Sequence, residues 1–194
     1  MPHVPKILAF AGSLRKDSFN KKLVRLAAQG ARDAGAEVTV VDLNDFPLPL
    51  FDQDLEAAQG MPEPGRKLKQ LFLDHDGLLI ASPEYNSSIT APLKNALDWV
   101  SRPTQPGEQG LSAYIGKTAA IIAASPGALG GLRGLVHLRS ILGNIQVLVL
   151  PDQIAIAKAN EAFADDGTLK DPKQQQTVAK IGAKLAETIA KLKG

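Results

Sequence analysis

Ile7-Leu8-Ala9-Phe10-Ala11-Gly12-Ser13-Leu14-Arg15-Lys16-Asp17-Ser18-Phe19-Asn20 is the segment from which the rest of the chain can be laid out. Its first five residues form an apolar run short enough for a buried strand. Beyond it, residues 21–34 carry Leu23, Leu26, Ala27, Ala31 and Ala34 at helical spacing. Residues 12–20 are therefore a strand-to-helix turn. It ends at a helix N-terminus, where unpaired backbone N–H groups and the positive end of the helix dipole converge. The turn adds the hydroxyls of Ser13 and Ser18, the guanidinium of Arg15 and the amide of Asn20. These donors suit a phosphate monoester. A Walker loop would need a Gly-Lys-Ser/Thr ending, and the dinucleotide fingerprint needs three glycines where this turn has only Gly12. A hydroxyl-rich turn fits a terminal phosphate better, as on a mononucleotide. Taken alone, it reads equally well as a helix capped by Ser18 beside a solvated Arg15.

Strands and helices keep alternating further along. Residues 37–43 read as a second strand and residues 77–82 as a third, the latter a near-continuous apolar run expected of a sheet covered on both faces. Residues 117–125 and 146–151 read as the fourth and fifth strands. Between them, residues 64–75 place Leu68, Leu71, Phe72 and His75 on one helical face, His75 as a packed helix-end residue. A helix ending at Val100 has Pro92 in its first turn and Leu93, Ala96, Leu97 and Val100 inward. Trp99 falls off that stripe, so it is expected to be exposed and available to a second subunit. After residues 125–133, a helix turns Leu135, Leu138, Leu142 and Ile145 inward. The last helix opens with Asp171 as N-cap, Pro172 at its first position and Gln174 as a capping-box partner, and buries Val178, Ile181, Leu185, Ile189 and Leu192. Residues 44–60 and 101–116 read as long loops.

Five strand–helix units imply an α/β class, a flavodoxin-like doubly wound five-stranded parallel sheet of order 2-1-3-4-5, in one domain over residues 1–194. Ligands of such sheets sit beyond the carboxyl ends of the strands, at the switch point between strands 1 and 3. Residues 12–20, 83–88 and 125–133 follow strands 1, 3 and 4, so all three polar turns share one rim. That convergence favours the phosphate site over the capped helix.

Composition narrows the chemistry. The 194 residues include no Cys, which excludes thiolate metal sites, cysteine nucleophiles and iron–sulfur clusters, and the three His are scattered. A net charge of +2, not concentrated in blocks, gives no support to nucleic-acid binding. Residues 1–5 show no charged-then-apolar leader and no run approaches a membrane span, so a cytoplasmic protein is expected.

Three motifs in order, Gly-Ser-Leu-Arg-Lys-x-Ser-Phe-Asn at 12–20, Pro-Glu-Tyr-Asn at 83–86 and Leu-Lys-Asn-Ala-x-Asp-Trp at 93–99, resemble the NADPH-dependent FMN reductase family over essentially the whole chain. The resemblance implies bound FMN, reduced by NADH or NADPH in direct hydride transfer, with no catalytic side chain needed. It implies a ping-pong, two-electron delivery to quinones, azo dyes, chromate or free flavin, in a homodimer or homotetramer. It places the FMN phosphate on Ser13, Arg15, Ser18, Phe19 (through its backbone) and Asn20. Pro83, Glu84, Tyr85 and Asn86 are then expected to line the ribityl chain and ring, and Ser125 and Gly127 to approach the ring. Glu84 alone would read as an acid favoured at a helix entry. Tyr85 is also a candidate wall for the substrate, and Arg102 a candidate contact for an anionic one. The alternative is a flavodoxin-type electron carrier without a substrate pocket, against which a sequence pI of about 8.8 speaks, since carriers of that kind are acidic.

Overall fold

The computed structural model describes residues 3–194. Five parallel strands, β1 (Lys6–Ala11), β2 (Glu37–Val41), β3 (Gly77–Ala81), β4 (Thr118–Ala124) and β5 (Leu148–Ile156), form a sheet of order β2-β1-β3-β4-β5. Helices α1 (Phe19–Asp33) and α7 (Pro172–Lys193) cover one face. Helices α3 (Glu63–Asp74), α4 (Ala91–Val100) and α5 (Leu132–Asn144) cover the other, and the short α2 (Gln53–Gln59) and α6 (Ala159–Ala162) lie in the connections.

The apolar runs follow from this sandwich. Along β1, Ile7, Ala9 and Ala11 enter the core under α1 and α7, while Leu8 and Phe10 enter the core under α3, α4 and α5. Successive side chains point to opposite faces and both faces are covered, so no polar position is left after the exposed Lys6 at the strand's start. β3 and β4 divide in the same way.

β5 differs from the expected 146–151: it starts at Leu148 and continues through Pro151 to Ile156. It is an edge strand, and its pairing with β4 shifts register between Ala119 and Ile121, opposite the segment holding Pro151. Proline is tolerated where the ladder is interrupted at an edge. The presumed loop 44–60 contains α2, whose N-cap Asp52 accepts from the backbone of Asp54 and Leu55, but no α2 residue is buried and no apolar stripe marked it. His75 is the packed helix end expected of it, bonded to the Leu71 carbonyl and to Thr39. In α7, Asp171 caps Lys173 N–H as expected, but it is Gln175, not Gln174, that reaches back, to the Leu169 N–H. Leu192 lies 61 % exposed, beyond the part of α7 that the sheet covers. Among the described residues no helix is long and apolar enough to cross a membrane.

Trp99 corrects the expectation of an exposed contact. It is fully buried, because residues 49–51 fold back over α4. Its indole N–H donates to the Pro49 carbonyl at 2.8 Å, and Phe51 meets its ring edge-on at 5.1 Å. Asn95, on the same helix, accepts from Phe51 N–H and donates to Pro49 O. What α4 leaves outward is the Lys94–Asp98 ion pair, so this helix offers no aromatic anchor to a second subunit.

Candidate functional site

β1 ends in a turn that is tied at its root. Gly12 N–H donates to Ala81 O, and the Thr90 hydroxyl donates to Gly12 O at 2.5 Å. A Cβ on Gly12 would lie 2.8 Å from Leu93 Cδ2, so only glycine lets the turn lie this close to α4. Ser18 then occupies the N-cap of α1 in an extended conformation, yet its side chain makes no capping bond and no acid occupies the first turn. The first backbone donor of α1 with an internal partner is Lys22, bonded to Ser18 O. Among the described residues the N–H groups of Phe19, Asn20 and Lys21 are thus left open, with the buried hydroxyls of Ser13 and Ser18 beside them. Arg15 is exposed and, among the described residues, in no ion pair.

Asn20 behaves differently from its neighbours. Its Nδ2 donates to Ala124 O at 2.8 Å and its Oδ1 accepts from Ala124 N–H at 2.9 Å. The amide therefore clips the start of α1 to the end of β4, across 104 residues of sequence.

The second turn is pinned to α5. Both oxygens of Glu84 are engaged, Oε1 by the Arg133 guanidinium at 2.8 Å and Oε2 by the N–H groups of Arg133 and Gly134. Burial pushes the carboxyl pKa upward, but these hydrogen bonds and the Arg133 charge outweigh it, so the net shift is downward and Glu84 stays ionised at neutral pH. The helix-entry reading is thus right in kind, although the helix is α5 and not the one that follows in sequence. Residues 85–88 close a tight turn, with Tyr85 and Ser88 exchanging N–H···O bonds and Asn86 and Ser87 at φ 49° and 69°.

The third turn enters α5 through Gly131, at φ 97°, where a Cβ would come within 2.9 Å of Ala123 Cβ. Among the described residues the N–H groups of Ala128 and Leu129 have no partner, whereas that of Gly127 bonds Ser125 Oγ.

These turns enclose a recess of about 90 Å³. It is lined by Ser13, Arg15, Ser18, Phe19 and Asn20 from the first turn, Pro83, Glu84 and Tyr85 from the second, and Ser125 from the third. Ala124 and Pro126, which no polar signal marked, complete it. Asn86, Gly127 and Arg102 do not line it. Arg102 places Nε on the Glu56 carboxylate at 2.8 and 3.0 Å and its guanidinium over the Phe51 ring, which fastens α2 to the end of α4. Across Leu14 lies a larger apolar cavity of about 370 Å³, roofed by Phe46, Pro47, Leu48 and Leu50 and floored by the start of α4.

Residues 5–161 match the family model for NADPH-dependent FMN reductase. The chain belongs to this family. It is 40% identical over 160 residues to the 2-hydroxy-1,4-benzoquinone reductase of Burkholderia sp, covering 82% of each chain. With the NAD(P)H:quinone oxidoreductase of Solanum tuberosum it shares 35% identity over 196 residues, covering 98% of this chain and 96% of the other. Among solved structures, FerB, a flavoenzyme NAD(P)H:(acceptor) oxidoreductase from Paracoccus denitrificans, superposes with a TM-score of 0.81 at 31% identity, over 97% and 98% of the two chains. The protein is accordingly an FMN- and NAD(P)H-dependent oxidoreductase, as the three motifs implied. The donor set fits such a cofactor. An open helix N-terminus, two hydroxyls and an unpaired guanidinium suit a phosphate dianion, while the recess has room for the phosphate end and not for a three-ring system.

Proposed function

We propose that the recess at the α1 N-terminus holds the phosphate of FMN and that the protein carries two electrons from NADH or NADPH to quinones. The observation that carries this reading is the uncapped Ser18. A buried hydroxyl at an N-cap that bonds nothing in its own helix, beside three open N–H groups and a free Arg15, is a donor set directed at an anion from outside the chain.

In this reading Ser13, Ser18 and the N–H groups of Phe19, Asn20 and Lys21 bind the phosphate, and Arg15 closes over it from the solvent side. Asn20 sets the distance between the first and third turns through Ala124. Glu84 contributes no proton at neutral pH; its carboxylate fixes Pro83 and Tyr85 relative to α5. Tyr85, 53 % exposed at the lip of the recess, forms a wall for the ring and for the acceptor. The partnerless N–H groups of Ala128 and Leu129 are placed to receive negative charge at the ring edge. When bound, FMN supplies hydride acceptance from the nicotinamide and hydride donation to the acceptor. One open face serving both partners in turn implies ping-pong kinetics.

Quinones are the acceptor class supported by the names of the relatives; azo dyes, chromate and free flavin are further acceptors to be ranked against them. Self-association into a homodimer or homotetramer rests on the family resemblance alone, now that Trp99 is internal. The test is a steady-state acceptor panel with both pyridine nucleotides. Bleaching of the yellow protein by NADPH or NADH, followed by reoxidation with a benzoquinone and parallel double-reciprocal plots, is the expected result. Failure of both nucleotides to bleach it would point to an electron carrier.

A further inference from the structure

The turn that carries the proposed phosphate donors is almost unsupported. Among the described residues, one hydrogen bond joins residues 13–18 to any element other than α1: Asn44 Nδ2 donates to the Leu14 carbonyl at 2.8 Å. Asn44 follows β2 and is held by Asp42, whose Oδ1 accepts from both Asn44 N–H (3.0 Å) and Asn44 Nδ2 (3.1 Å). The other carboxylate oxygen of Asp42 takes the Lys21 ammonium at 2.5 Å. Lys21 is the third residue of α1, and its own N–H is one of the open first-turn donors.

Asp42 therefore grips the phosphate turn on both sides, Leu14 through Asn44 and the α1 start through Lys21. The electrostatics agree with this arrangement. A lysine in the first turn of a helix meets the positive end of the dipole, and the side chain of Lys21 is only 9% exposed. Without Asp42 that ammonium would be both unpaired and buried beside the donors. Asp42 is in turn held ionised: burial pushes its carboxyl pKa up, but Lys21 and the two bonds from Asn44 outweigh this and the net shift is downward.

We propose that Asn44 and Asp42 are positioning residues for the phosphate turn, setting how strongly the protein prefers FMN over its dephosphorylated form. This rests on the reading of the recess as the FMN-phosphate site. Neither residue lines the recess, so neither touches the phosphate itself. They act by fixing Leu14, and with it the directions of Ser13 and Arg15 on either side. A turn free to swing must be ordered when the phosphate binds, and that cost falls on FMN and not on riboflavin.

The test measures dissociation constants of FMN and riboflavin by flavin-fluorescence titration of the full chain. Asn44→Ala is expected to weaken FMN about tenfold and to leave riboflavin within about twofold, collapsing the preference without a matching loss of ring binding. Asn44 also lines the adjoining apolar cavity, so Asn44→Leu, which keeps the bulk and removes the donor, must give the same split. If Asn44→Ala does not fold, the Leu variant carries the test. Equal weakening of both flavins would mean a structural role only and would overturn the proposal, as would an Asn44→Leu variant with wild-type affinities. A wild-type protein that does not distinguish FMN from riboflavin would instead refute the phosphate site itself, a separate failure visible before any variant is made.

Discussion

Replacing Asn20 by alanine removes the two hydrogen bonds that join α1 to β4 and leaves the Ala124 N–H and C=O in the interior without partners. Asn20 is 3 % exposed and Ala124 likewise 3 %, so water cannot replace the lost amide easily. A buried backbone group deprived of its partner costs about 1–3 kcal/mol, so two of them together cost roughly 2–4 kcal/mol after partial relaxation. In a chain of this size each kcal/mol moves the midpoint by about 2–4 °C, which gives a drop of roughly 4–16 °C. The assay is thermal unfolding followed by circular dichroism, with and without saturating FMN. The expected outcome is a lowered midpoint in both, because the clip acts within the protein. A flavin-free midpoint unchanged from wild type, with only FMN affinity lost, would refute the clip and make Asn20 a direct phosphate ligand.

Trp99→Phe should lower stability by about 0.5–1.5 kcal/mol through the lost indole hydrogen bond, the Pro49 carbonyl keeping Asn95 Nδ2 as its donor, and leave the species seen by light scattering unchanged; a shift to smaller assemblies would put Trp99 back at an interface. Glu108, paired with the buried Lys69 and bonded by Thr104 and Ser112, has a carboxyl that burial raises but these partners pull down to about 2. Its folded pKa lies below the unfolded value of about 4.3, so its stabilisation is complete above about pH 5 and fades as pH falls towards 2. Urea midpoints of Glu108→Gln should therefore lie well below wild type at pH 7, and the gap should narrow below about pH 4 and close only near pH 2; a gap undiminished between about pH 7 and pH 2 would contradict this. Arg102→Ala should loosen α2 and change KM for NADPH and for a neutral quinone together, whereas a rise confined to anionic partners would place Arg102 on the substrate.

The sequence made the sheet legible where burial was symmetrical and illegible where it was not. β1, β3 and β4 announce themselves because both faces are covered and, after Lys6 and Thr118 at the starts of β1 and β4, no polar residue interrupts them. β5, at the edge, mixes exposed and half-buried positions around Pro151, and its true extent depends on a register shift with β4 that no local pattern encodes. Trp99 was misplaced for a related reason: a helical wheel knows the face turned to the sheet, but not that residues 49–51 return to cover a second face. Nine of the residues singled out for the cofactor do meet in one recess, because turns after parallel strands must share a rim. The partners those residues chose were not readable. Asn20 with Ala124, Glu84 with Arg133 and Asn44 with Leu14 are pairings between polar groups 30 to 104 residues apart, and only the folded geometry selects them.

The central claim, that the α1 N-terminus binds the FMN phosphate, is tested most directly by titrating wild type and Arg15→Ala with FMN and with riboflavin. Each hydrogen bond to a charged group is worth about 1.5–3 kcal/mol, so Arg15→Ala should weaken FMN roughly tenfold to a hundredfold. Riboflavin should bind both proteins alike, and wild type far less well than FMN. Equal binding of FMN and riboflavin by the wild-type protein, or an equal loss of both in Arg15→Ala, would contradict the assignment.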